Sequence, residues 1–315
     1  MEIADLILPV FAVIVTGWLA GYLGYVSRAL SDALIHFAYN IAMPALLFVT
    51  IGQESARALL AWRFLIAFGG GSLVCFAVVF FSSARRTGHN VPSQTMYGMS
   101  ASMTNTGFVA LPILQALYGP HAVLPAAIAT VFVAVVMFPA AVLLLEIKGT
   151  SGRIPRGVLI RHIVLNPLVL STLLGVVWSV IHAPLPGPLT AYLKIFADAL
   201  TPCALFAIGL GLSLDGMRAN LRPSLALAGV KLIIMPIVVY GVALACGLGP
   251  LYTIAAVICS AVPTAKTVFI LAGEYKCEEP MVATTVSLTT LLSIVSLVVW
   301  LYALSGLNAE LAAGS

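Results

Sequence analysis

Charge is what this chain has least of. Asp, Glu, Lys and Arg together make up 8% of its 315 residues, against 61% hydrophobic. A soluble domain carries roughly a quarter charged residues, so this chain has too few to cover a wetted surface. The net charge of +4 comes from bases scattered in short loops, with no run or patch, which excludes a nucleic-acid interface. Cysteine is sparse and unpatterned. Cys75, Cys203, Cys246, Cys259 and Cys277 lie in or beside apolar segments without paired spacing, so they read as small buried hydrophobes and not as a disulfide framework or metal site. There is no His-Glu-x-x-His pair and no cluster of His, Asp or Glu across neighbouring segments. An embedded enzyme therefore has no visible seat for its chemistry, and no cofactor is called for. Period-two alternation is missing as well, which leaves helices and not a barrel.

What is present is a series of apolar runs, each near the ~20 residues needed to cross a bilayer. Spans are expected at 5–25, 31–51, 62–84, 94–117, 121–145, 163–182, 188–213, 222–246, 250–273 and 279–304. The expectation is an all-α integral membrane protein of ten transmembrane helices. The chain opens Met-Glu-Ile-Ala-Asp, with two acids and no base, so the first run is expected to stay as a helix and not be removed as a signal peptide. Loop bases set the orientation. Ten of them (Arg28, Arg85, Arg86, Lys148, Arg153, Arg156, Arg161, Arg218, Arg222 and Lys276) fall on one side, and three (Arg57, Arg63 and Lys194) on the other. The ten-base side is expected to be cytoplasmic, with both termini outside, in a cell membrane of the bacterial inner-membrane kind.

The two halves match at an offset of 158 residues. Pro9 aligns with Pro167 and Gly17 with Gly175, and Asn40-Ile-Ala-Met-Pro44-Ala-Leu-Leu-Phe48 aligns with Asp198-Ala-Leu-Thr-Pro202-Cys-Ala-Leu-Phe206. The reading is a first five-helix repeat at 1–147, a short cytoplasmic linker at 148–162 and a second repeat at 163–305. Five is odd, so the second copy must sit upside down in the membrane. Inverted repeats of this kind belong to secondary transporters, because exchanging the two halves' conformations opens the site to the other side. A duplicated channel or sensor is the rival reading.

Helix breakers mark the candidate site. The fourth span holds Asn105, Thr106 and Gly107 in mid-membrane, followed by Pro112; all are poor helix formers. The ninth holds Pro263, Thr264 and Lys266, with a break expected at the proline. Breaks at matched positions suggest a midplane site, since half-helix N-termini attract anions and freed carbonyls bind cations. The alternative is a pair of ordinary proline kinks. Lys266 falls in the first turn after Pro263, at a depth where a charge costs at least about 2.5–3.5 kcal/mol. It suits a substrate carboxylate or the place of a coupling cation, the plain alternative being a structural ion pair. Asp198 and Lys231 are the other intramembrane charges, expected to pair with each other or to tune protonation. Asn40, the counterpart of Asp198, reads as a helix–helix hydrogen-bonding residue. Phe108 reads as packing or as pocket lining. Gly69-Gly70-Gly71 reads as close packing, and Trp18, Trp62 and Trp300 as candidate interface anchors.

These residues also carry a family resemblance. Thr104-Asn-Thr-Gly-Phe-Val-Ala-Leu-Pro112 resembles the fourth-helix motif of the auxin efflux carrier family, as do Lys231-Leu-Ile-Ile-Met-Pro236 and Leu288-Thr-Thr-Leu-Leu-Ser293 in the eighth and tenth spans. The similarity covers essentially the whole chain, with the short central loop of bacterial members. It implies the fold of the bile-acid/sodium symporter superfamily. There, a scaffold of helices 1, 2, 6 and 7 faces a transport domain of helices 3–5 and 8–10, helices 4 and 9 break and cross, and an elevator movement carries the site across the membrane. Carried onto this chain, the crossover is Asn105-Thr106-Gly107 against Val262-Pro263-Thr264, with Lys266 just beyond. Plant members have proline then asparagine at the first break where this chain has Asn-Thr-Gly, which argues against auxin itself. The resemblance implies small organic anions as substrate, carboxylates such as malonate or auxin-like acids, moved with a proton or by uniport, with membrane lipid as the surroundings. A homodimer is compatible with it.

Overall fold

The computed structural model describes residues 3–27, 29–53, 61–87, 90–148, 165–181, 183–211, 220–307 and 311. All regular structure among them is helical. Among the described residues, six helices are long and apolar enough to cross a membrane: Ala29–Gln53, Trp62–Arg85, Pro120–Leu145, Gly187–Leu210, Leu221–Ala245 and Glu279–Ala303. Shorter apolar helices include Pro9–Tyr22, Thr106–Tyr118, Pro167–Ile181 and Pro250–Ala261. The spans expected at 94–117 and 250–273 are each interrupted. Helix Val91–Ser102 ends before the chain resumes helical form at Thr106, and Pro250–Ala261 ends before Lys266–Glu274 begins. Pro112, expected to contribute to the first break, instead lies beyond it, inside the continuous helical stretch Thr106–Tyr118. The linker expected at 148–162 lies outside the described residues apart from Lys148, and so do Arg28, Arg57, Arg153, Arg156, Arg161 and Arg218.

Proline leaves a regular mark on the long helices. Of the five wide π-helical turns among the described residues, four, Ala38–Ala42, Thr106–Ala110, Val133–Met137 and Val230–Ile234, each end two residues before a proline, namely Pro44, Pro112, Pro139 and Pro236, and the fifth, Leu65–Gly70, has no proline in that place. A proline ring presses on the carbonyl four residues back and offers it no N–H. In all four cases that carbonyl is the middle residue of the wide turn. Opening the turn by one residue relieves the clash while the helix continues.

Contacts divide the chain into two compact units. The first comprises Met1–Trp62, Gly107–Val131 and Ile160–Leu212, and its helices meet through glycines. A Cβ at Gly17 would overlap the carbonyl oxygen of Phe206, and one at Gly209 would overlap that of Ile14. Gly175 approaches the Met43–Gln53 helix in the same way, where a Cβ would lie 3.3 Å from the carbonyl oxygen of Phe48 and 3.0 Å from the Cβ of Ile51. In lipid no hydrophobic drive joins helices, so such backbone-to-backbone approaches supply the packing.

The second unit comprises Arg63–Thr106, Phe132–Leu159 and Ser213–Ser315. Of the three glycines expected to pack closely, Gly69 and Gly71 do so here, while a Cβ at Gly70 would meet nothing within 4 Å. Cβ atoms at Gly69 and Gly71 would lie 2.7 Å from the Phe132 ring and 2.7 Å from Cγ2 of Val239, respectively. Phe68 meets the same Phe132 ring edge-on at 6.0 Å. The Leu221–Ala245 helix exposes Ile233, Ile234 and Ile237 while fully burying Lys231, an arrangement that puts apolar side chains toward lipid and the charge inside.

Candidate functional site

Two extended breaks lie antiparallel within the second unit. Thr104 pairs with Thr264 as an isolated β-bridge. The N–H of Asn105 donates to the carbonyl of Pro263 at 2.9 Å, and the N–H of Ala265 donates to that of Met103 at 3.0 Å. This pairing solves a local problem. Each break takes backbone groups out of a helix, in surroundings where an unsatisfied group costs several kcal/mol. Two breaks laid side by side satisfy each other. Pro263 suits its position because its carbonyl is used and its absent N–H is not needed there.

The surrounding side chains fasten the crossing. Thr264, 1% exposed, donates through its hydroxyl to the carbonyl of Ser100 at 2.7 Å. Its N–H donates to Oγ1 of Thr289 at 3.2 Å, and Thr289 in turn donates to the carbonyl of Thr285 at 2.8 Å. The hydroxyls of Ser100 and Thr104 are buried at the crossing without a hydrogen-bond partner among the described residues. Sequence reasoning passed over Ser100, Met103, Thr104 and Ser260 as site residues. Thr104 and Thr289 were nonetheless inside the stretches that carried the family resemblance.

Of the residues expected at the site, Asn105, Pro263 and Thr264 come together at the crossing. Thr106 opens the wide turn just beyond. Lys266, half-buried, is the first residue of helix Lys266–Glu274, so its ammonium adds to the positive end of that helix. Gly107 and Phe108 belong to the first unit. There a Cβ at Gly107 would lie 2.9 Å from Cε of Met43. Phe108 stacks on Tyr39 at 6.1 Å, and the hydroxyl of Tyr39 accepts from Nδ2 of Asn166 at 2.7 Å.

The ion pair expected between Lys231 and Asp198 gives way to a different arrangement. Lys231, 0% exposed, donates through Nζ to the carbonyls of Ser260 and Val262 at 2.5 and 2.6 Å, whereas Asp198 is exposed on the first unit. The last carbonyls of a helix have no intrahelical donor and carry its partial negative charge. A cation there is satisfied without a carboxylate. Asn40 is exposed and donates to the carbonyl of His36 one turn back in its own helix, and does not reach a neighbouring helix as expected. Trp300, offered as an interface anchor, donates from its indole to the carbonyl of Leu232 at 2.8 Å.

Known proteins are similar to this chain over nearly its whole length. The family model described as "Membrane transport protein" matches residues 3–301. A protein of Rhizobium meliloti (strain 1021) named "Putative malonate transporter" is 29% identical over 308 residues, covering 96% of this chain and 95% of that one. An uncharacterized transporter of Methanothermobacter thermautotrophicus is 23% identical over 304 residues, covering 95% of this chain and 98% of its own length. Auxin efflux carrier component 6 of Arabidopsis thaliana is 29% identical over 153 residues, covering 47% of this chain and 27% of that protein. The chain thus belongs to the membrane transport protein family and is a multi-pass membrane transporter related to the auxin efflux carriers.

Proposed function

We propose that this protein is a secondary carrier of small organic anions, carboxylates such as malonate, working by elevator-type alternating access. The observation that carries the reading is the crossing of the two helix breaks, where Asn105 hydrogen-bonds to Pro263, its counterpart at the 158-residue offset. A helix that starts at this crossing with Lys266 offers amide N–H groups and an ammonium to one negative group. Asn105, Thr106, Pro263, Thr264 and Lys266, all in the second unit, would form the binding site. The malonate transport named for the Rhizobium relative supports a dicarboxylate.

The inverted-repeat reading, ten helices with halves at 1–147 and 163–305, gains support from packing. Gly17 meets the backbone of Phe206, and Gly175 meets that of Phe48. Gly175 is the 158-residue counterpart of Gly17, and Phe206 that of Phe48. An exchange of partners of this kind is what a two-fold relation between repeats produces. Both termini would lie outside a bacterial inner membrane, as the loop bases favour.

The test is uptake of labelled malonate, and of a panel of other organic acids, into proteoliposomes of the purified protein. Saturable uptake that unlabelled acid accelerates by exchange is expected. Lys266→Ala should lose about 1.5–3 kcal/mol of anion binding, a roughly 10- to 100-fold rise in Kd. Uptake unchanged in that variant would sink the lysine assignment, and single-channel current in place of exchange would sink the carrier.

A further inference from the structure

Lys231 is not among the residues assigned to the anion, and its chemistry points to another task. Its side chain leaves a wide turn, Val230–Ile234, and ends on two carbonyls contributed by the crossing segment. Ser260 is in the last turn of helix Pro250–Ala261, and Val262 is the first residue of the break. Neither oxygen can count on the regular helical donor, because the chain leaves helical form at Val262 and Pro263 has no N–H. In broken-helix carriers generally, carbonyls of this sort coordinate the coupling cation. An alkali ion takes neutral oxygen ligands, and two of them stand here at the negative end of a helix. Here an ammonium fixed to the protein backbone already sits on them.

We propose that Lys231 is a tethered cation, its ammonium filling a monovalent-cation site made by the carbonyls of Ser260 and Val262. The lysine thereby makes the crossing independent of added sodium, and it acts as a positioning residue with no contact to substrate. Such a cation stays tethered to the chain, where a free ion would exchange with solution. Its removal should leave carbonyls that small cations can occupy from outside. A purely structural lysine predicts no such gain, since deleting it would only leave a hole.

The decisive experiment is thermal unfolding of the purified protein in detergent, titrated with sodium, potassium or methylammonium chloride against choline chloride at equal ionic strength. Wild type is expected to show no sodium-specific shift. Lys231→Ala should unfold several degrees lower in choline and recover part of that loss, saturably, with sodium or methylammonium. Lys231→Gln, uncharged and shorter by one bond, serves as the second variant and should show the same recovery. Lys231→Arg, which keeps the charge and the donors, should remain insensitive. A sodium-specific shift in wild type overturns the proposal, and so do folded Ala and Gln variants that ignore every cation.

The inference rests on the carrier reading for its second arm only, sodium-dependent malonate uptake in Lys231→Ala against sodium-independent uptake in wild type. Failure of wild type to transport in any salt would count against the carrier reading and leave the unfolding arm to decide this one.

Discussion

Trp300→Phe isolates one hydrogen bond whose worth follows from a missing atom. Pro236 has no N–H for the carbonyl of Leu232 four residues before it, and the indole of Trp300 supplies a donor at 2.8 Å. Leu232 is 3% exposed, so water cannot step in when the indole N–H is removed. Phenylalanine keeps most of the ring's apolar contact. The loss should therefore be the hydrogen bond itself, which lies between the ~0.6 kcal/mol average for interhelical bonds in membranes and the ~3 kcal/mol upper cost of stranding a buried acceptor. About 1–2 kcal/mol is expected. The assay is unfolding of the purified protein in mixed micelles, with a double-mutant cycle against Pro236→Ala. Alanine at 236 returns a backbone N–H that can reach the Leu232 carbonyl, so Trp300→Phe in that background should cost less than about 0.5 kcal/mol. Equal costs in both backgrounds would refute the claim that the tryptophan substitutes for the donor that proline lacks.

Two further outcomes can be measured with the same material. Alanine at Gly209, where a Cβ would overlap the Ile14 carbonyl, should cost 3 kcal/mol or more, beyond the usual ~1–3 for overpacking. Gly175→Ala, with its tightest neighbour at 3.0 Å, should cost about 1–2 kcal/mol, while Gly241→Ala, which meets nothing within 4 Å, should be neutral or stabilise by up to ~1 kcal/mol; any other rank order in unfolding contradicts the packing described. The thiol of Cys277, in the turn before Glu279–Ala303, is pushed up from its ordinary pKa, first by burial and then by the negative charge of Glu278, against a lowering contact with Ser93. Only the thiolate alkylates, so Glu278→Gln should speed maleimide labelling at a fixed pH below that pKa in a background where Cys277 is the sole cysteine, and an unchanged or slower rate would rule the carboxylate out.

Much of this fold is legible in the sequence because the bilayer simplifies the rules. Apolar length fixes the helices, and proline with Asn-Thr-Gly fixes where two of them stop. The sequence is less informative about where freed backbone groups turn for partners. Pro236 and Pro263 announce unsatisfied carbonyls, but nothing along the chain reveals that Trp300 serves one and Lys231 serves two near the other. The expected pairing of Lys231 with Asp198 failed on the same ground. It matched charges and left the backbone out, whereas in a low-dielectric interior the carbonyl end of a broken helix competes with a carboxylate for a cation.

The stretches that carried the family resemblance make the same point from the other direction. Thr104–Pro112, Lys231–Pro236 and Leu288–Ser293 are far apart in sequence, yet each brings a group to the crossing. Thr104 supplies the bridge, Lys231 the ammonium and Thr289 the acceptor for the N–H of Thr264. Breaking two helices in lipid frees more backbone groups than the two breaks satisfy in each other, and these stretches supply the remaining partners from elsewhere in the fold. A substitution at any of the three should therefore disturb the crossing before it disturbs the helices around it.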